Sequence, residues 1–128
     1  MNHHRFHHGC TTIPSNTSEK SQIIVVGGSR NSQDIEVLDV SSSAWIKVAK
    51  IPFRTPSGNT VTFSKSPAYK IYIIGGTASL GSMGSSHYTK AIFGLTYSNV
   101  LKLVGNLTEG RSFHTSLNVD PSDIPGCS

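Results

Sequence analysis

Ile23-Ile24-Val25-Val26-Gly27-Gly28 is matched further along the chain by Ile71-Tyr72-Ile73-Ile74-Gly75-Gly76. Four apolar residues run into a double glycine in both places, 48 residues apart (75 − 27). An apolar run this short, ended by glycine, reads as a buried strand. Paired glycines permit positive φ and close backbone approach where the strand leaves its sheet.

Other elements keep step with this pair. Arg5-Phe6-His7-His8, Arg54-Thr55-Pro56-Ser57 and Arg111-Ser112-Phe113-His114 recur with arginine spacings of 49 (54 − 5) and 57 (111 − 54). Each leads into a strand-like run, at residues 10–13, 59–63 and 113–119. After the first double glycine, Asp34-Ile35-Glu36-Val37-Leu38-Asp39-Val40, a serine turn and Ala44-Trp45-Ile46-Lys47-Val48 alternate as a β-hairpin does. Residues 91–97 and 100–107 are the counterpart, with Trp45 matching Leu101, Val48 matching Val104 and Ile51 matching Leu107 at an offset of 56 (101 − 45).

The second unit therefore exceeds the first by 8 residues on either measure (57 − 49, 56 − 48). The Gly- and Ser-rich stretch 77–90 takes up that excess and is expected to be a loop insertion. The organisation predicted is a first unit at 1–53, a second at 54–110, and the first strand of a third unit plus a tail at 111–128. Each full unit holds four strands in about 50 residues.

The pattern resembles the kelch repeat: four apolar residues, Gly-Gly, an apolar strand with Asp, a spaced Trp, then Arg-x-x-His before the next strand. Gly27, Gly28, Asp39, Trp45, Arg5 and His8 match it in the first unit, with Leu38 where the family usually carries Tyr. Gly75 and Gly76 match in the second, but Ser57 stands for His, Leu101 for Trp, and the Asp is missing. Arg111 and His114 open the third copy. The resemblance implies an all-β kelch-type β-propeller fragment, two four-stranded antiparallel blades plus one extra strand. Arg5, His8, Gly27, Gly28, Asp39, Trp45, Gly75, Gly76 and His114 are then structural residues. Propellers have 4 to 8 blades, so the chain is expected to belong to a larger propeller, to associate with further copies, or to be an open fragment of low stability. Met1 lies four residues before the mid-motif Arg5, which suggests truncation, whereas the Pro- and Ser-rich end resembles a natural terminus.

Composition agrees with a folded, turning chain. Hydrophobic residues make up 36% and charged residues 14%, with 12 Gly and 6 Pro, so an all-polar disordered chain is excluded. The net charge of +4 comes from basic residues scattered singly rather than in a stripe, which argues against nucleic-acid binding. No run reaches the roughly 20 apolar residues of a membrane helix. Cys10 and Cys127 fit no metal spacing, and their pairing would require an oxidising compartment. The sequons Asn16-Thr17-Ser18 and Asn106-Leu107-Thr108 fit an extracellular setting, yet the polar, His-rich start is not a secretory signal. A cytoplasmic setting is slightly favoured.

Catalytic signatures are missing. Gly81-Ser82-Met83-Gly84 lacks the following Lys and helix of a phosphate loop. No G-x-S-x-G elbow occurs, and Asp34, Asp39, Asp120 and Asp123 form no recognisable carboxylate pair. His3, His4 and His7 are a weak metal candidate, and no metal or cofactor is assigned. Some propellers similar to kelch proteins are copper oxidases or sugar epimerases. The oxidase set of Tyr, Cys and His finds no support in the spacing of Tyr72 or Tyr88 with Cys10 and His87.

The resemblance instead implies a non-catalytic protein-interaction module, with an extracellular recognition domain or a fragment of a kelch-type enzyme as alternatives. In this family one face gathers the loops after the double glycines and those joining successive units. Here those loops are residues 29–33, 50–57, 77–90 and 105–111. Arg30, Arg54, His87, Tyr88 and Arg111 are their side chains best able to anchor a protein partner, and the 77–90 stretch is the foremost candidate.

Overall fold

The computed structural model describes residues 1, 4–14, 20–28, 33–79 and 86–117. In chain order the strands are β1 (Gly9–Ile13), β2 (Gln22–Val26), β3 (Asp34–Asp39), β4 (Trp45–Lys50), β5 (Arg54–Ser57), β6 (Thr60–Phe63), β7 (Ile71–Ile74), β8 (Thr77–Ser79), β9 (Ser86–Tyr88), β10 (Ala91–Leu95) and β11 (Leu101–Asn106). No helix occurs among the described residues. The protein is all-β. Strands β1-β2-β3-β4 form one antiparallel sheet, β6-β7-β10-β11 a second with the same order, and β5-β8-β9 a small third.

The repeat seen in the sequence holds down to the register. Val26 pairs with Ile35 and Ile74 with Ile92, and a β-bulge follows immediately in each sheet, at Ile35/Glu36 and at Ile92/Phe93. At the far end Leu38 faces Trp45, and Leu95 faces Leu101. The Asp that the second unit lacks is replaced by Thr96. Asp39 accepts hydrogen bonds from the Ser41 amide (2.9 Å) and hydroxyl (2.7 Å), while Thr96 Oγ1 accepts from the Val100 amide (3.0 Å). Either side chain closes its hairpin turn by satisfying a backbone donor.

One apolar core joins the two large sheets. Ile13, Ile24, Val26, Ile35, Val37 and Ile51 from the first pack with Val61, Ile71, Ile73 and Leu95 from the second. Burying each such side chain contributes roughly 1.5–3 kcal/mol. The sheets meet where β1 lies along β6. A Cβ on Gly9 would stand 2.2 Å from Asn59 Oδ1 and 2.5 Å from Val61 Cγ2, so only glycine permits this approach.

Three expectations need correction. Residues 77–90 are not a plain loop: Thr77 pairs with Tyr88, Ala78 with His87 and Ser79 with Ser86, and β5 adds to the hairpin's other side. Pro56 cannot donate to that ladder, and the β5–β8 register shifts between Arg54 and Ser57. The strand expected from Phe113 is not formed over residues 113–117. This segment meets β6 through the Thr60 and Thr62 hydroxyls, which bond the His114 and Ser116 carbonyls, so no backbone ladder builds along it. Finally, the residue standing in the place of His is Asn59, not Ser57. A left-handed residue stands at the same place in each copy, His7 (φ 56°) before β1, Gly58 (φ 63°) before β6 and Phe113 (φ 52°) in the third, which aligns His8, Asn59 and His114.

Candidate functional site

Both double glycines are left-handed, with φ of 66° and 114° at Gly27 and Gly28 and 62° and 100° at Gly75 and Gly76. They carry the chain out of its sheet in different ways. At the first, the Arg5 side chain enters: Nη1 donates to Gly27 O (2.7 Å) and Asp34 O (3.0 Å), and Nη2 to Glu36 Oε2 (2.6 Å). Both side chains of this ion pair are buried, Glu36 to 1% exposure. His8 packs its Cβ beside Gly28.

At the second, backbone groups bond around the turn. The Gly76 amide donates to Arg111 O (2.7 Å), the Thr89 amide to Gly76 O (2.8 Å), and the Leu107 amide to Lys90 O (2.7 Å). These bonds gather the β8–β9 hairpin and residues 107–111 at one place. A Cβ on Gly110 would lie 2.3 Å from Tyr88 O, so the chain crosses the β9 backbone in close contact. His114 sits against Gly75, its Cε1 2.7 Å from where a Cβ would be.

Of the residues expected to meet a partner, His87, Tyr88 and Arg111 are exposed here, Tyr88 at 63%. His87 and Tyr88 are consecutive in a strand and therefore project to opposite faces. The backbone of Arg54 lies in the same small sheet, opposite Ser79 and away from the Tyr88 end. Arg30 and Cys127 lie outside the described residues, as does His3 of the histidine set. Cys10 is exposed. Asp39 closes the β3–β4 turn, and Trp45 is half-buried at the start of β4. Among the described residues no three of His, Cys, Asp and Glu converge to hold a metal ion, and no helix is long and apolar enough to cross a membrane.

Asp39 and His114 have displaced pKa values. The Ser41 hydroxyl and amide, with help from the Lys20 charge, hold the Asp39 carboxyl below its ordinary value. Burial first, then the charge of Arg111, hold the His114 imidazole below its own. The nearby Ile74 backbone opposes that shift without a well-formed hydrogen bond.

The structure adds residues that spacing alone does not single out. Glu36 is the buried partner of Arg5. His7 stacks edge-on against both Phe6 (5.1 Å) and Phe113 (5.0 Å), bridging the starts of the first and third units over Gly58. Backbone bonds follow the same line, from the Gly58 amide to His7 O (2.9 Å) and from the Phe113 amide to Gly58 O (2.8 Å). No protein-family model matches the chain, and a search of curated proteins finds no match.

Proposed function

We propose that the chain comprises two kelch-type propeller units and works as a non-catalytic protein-interaction module. Successive four-stranded antiparallel sheets with adjoining innermost strands are what a propeller requires. The equivalent bulges, the matched double glycines and the β1–β6 contact support that reading. The partner is a protein or peptide, and the surface offered is the β8–β9 hairpin with Arg111.

The observation that carries this reading is Tyr88: an aromatic ring 63% exposed on a backbone fixed from behind by Gly76 and Gly110. A large side chain presented on a fixed backbone loses little entropy on binding, which is the character of an interface anchor. A photo-crosslinking residue at position 88 should capture a defined protein in cells, and the same residue at position 47 on β4 should not. Capture at 88 should fall with Arg111→Ala and stay unchanged with His87→Ala, whose side chain projects to the other face of the strand. Equal capture at the two positions would defeat the proposal.

A further inference from the structure

Residues 111–117 are held by few interactions. Thr60 and Thr62 donate from β6 to the His114 (2.8 Å) and Ser116 (3.3 Å) carbonyls, and the backbone bonds Gly76 to Arg111 and Phe113 to Gly58. Asn59 and Val61 face β1, so the alternation of a strand puts this segment on the opposite side of β6. Apolar burial adds little, because Phe113 is 66% and Leu117 70% exposed.

The inward side chain is His114. Its ring fills the space beside Gly75, and both ring nitrogens are buried without a hydrogen-bond partner. A neutral imidazole tolerates this at the cost of unsatisfied polar atoms. An imidazolium would bring a second N–H and a full charge into the same place. The Ile74 backbone favours the charged form, but burial outweighs it and the charged neighbour Arg111 adds to the penalty. Arg111 repels it from within the segment, His7 lies on Phe113, Tyr88 lies behind Gly110, and β6 supplies Asn59, Thr60 and Thr62.

We propose that residues 111–117 form a pH-sensitive strap, docked on β6 and the Gly75–Gly76 turn while His114 is neutral and released when it is protonated. The direction follows from linkage. Burial and Arg111 hold the docked imidazole below its ordinary value, so docking is strongest above the free-histidine pKa of about 6.5. It weakens as the pH falls from there toward the docked value, because the released strap binds the proton more readily. The repeat also shows how the switch is disabled. Asn59 occupies the equivalent position, 7% exposed and uncharged, after the left-handed Gly58.

The test is amide hydrogen exchange by NMR at pH 7.5 and 5.5, corrected for intrinsic rates, on the 128-residue chain. Protection of the Gly76 and Phe113 amides should fall roughly threefold or more at the lower pH, relative to ladder amides such as Ile24 and Ile73. His114→Asn should abolish the fall, and Arg111→Gln should shrink it by removing the repelling charge. Unchanged protection in the wild type would overturn the proposal, as would an undiminished fall in His114→Asn. Should His114→Asn fold poorly, the His114 ring resonances of the wild type decide. A midpoint at or above that of the denatured chain would overturn the proposal too.

Discussion

The two large sheets share an order, a bulge and a core, yet they fasten the same corner by opposite means. Val25 of the first faces Glu36, and Ile73 of the second faces Phe93. At the first position the carboxylate is buried against Arg5. At the second, the Phe93 ring stands 5.8 Å from Phe53 in an edge-on pair. The ion pair ties the segment before β1 to β2 and β3 with directed bonds, whereas the ring pair ties the β4–β5 connection to β10 by contact alone. Equivalent backbone thus does not require equivalent chemistry. What it requires is that the position be filled and any buried charge there be paired.

The largest effect expected is therefore at Glu36. Glu36→Ala leaves the Arg5 guanidinium buried without its counter-charge and should cost about 3–5 kcal/mol in urea unfolding. Replacing both partners together, Arg5→Met with Glu36→Leu, should recover most of that loss, since apolar substitutes for a buried pair are often neutral. At the other corner, Phe93→Ala should cost about 2–3 kcal/mol, under the 3–5 typical of a fully buried ring, because Phe93 is only partly covered. The comparison breaks if the double substitution at the first corner is as harmful as the single one.

A smaller effect separates glycines by what their corner demands. Gly75 combines φ of 62° with a site where a Cβ would stand 2.6 Å from Arg111 O. Gly75→Ala should cost on the order of 1–3 kcal/mol. Gly105 on β11 has only Ile92 Cδ1 near it, at 3.9 Å, and no left-handed φ. Gly105→Ala should be neutral or stabilise by about 0.4–1 kcal/mol through the unfolded chain. Thermal melts of the two variants check this, and equal losses would show that the double glycine is not specially constrained.

The double glycines, the apolar strands before them and the paired hairpins were legible because each is a local signal: a short apolar run, an alternation, a turn. The third sheet was not. Its β8 and β9 are three residues each, Thr77–Ser79 and Ser86–Tyr88, mostly polar and too short to show a period. Glu36 was hidden differently. A charge inside an alternating strand reads as solvent-facing, and its partner Arg5 lies 31 residues away in the chain. Asn59 escaped notice because the Arg54 spacing points to Ser57, while the true marker is the left-handed φ shared by His7, Gly58 and Phe113. At the candidate surface, only the resemblance points to the loops that carry Tyr88 and Arg111, and the backbone bonds through Gly76 and the contact at Gly110 are what bring those two segments together.

The smallest effect tests the two hairpin turns against each other. Asp39 is half-buried at the end of β3, and its carboxyl is held below the ordinary range chiefly by the Ser41 hydroxyl and then by the Ser41 amide. A carboxylate whose folded pKa is depressed stabilises the fold above its unfolded value, near 3.9. That contribution fades as the pH falls from there through the folded value. Thr96, which closes the matching turn in the second unit, carries no ionisable group and contributes no such dependence. Asp39→Thr should therefore keep the β3–β4 turn while flattening the acid limb of stability below about pH 4. Urea midpoints of wild type and variant from pH 6 to pH 2.5 would show it as two curves that differ above that pH and converge below it. Parallel curves throughout would mean that the Asp39 charge has no share in holding the turn.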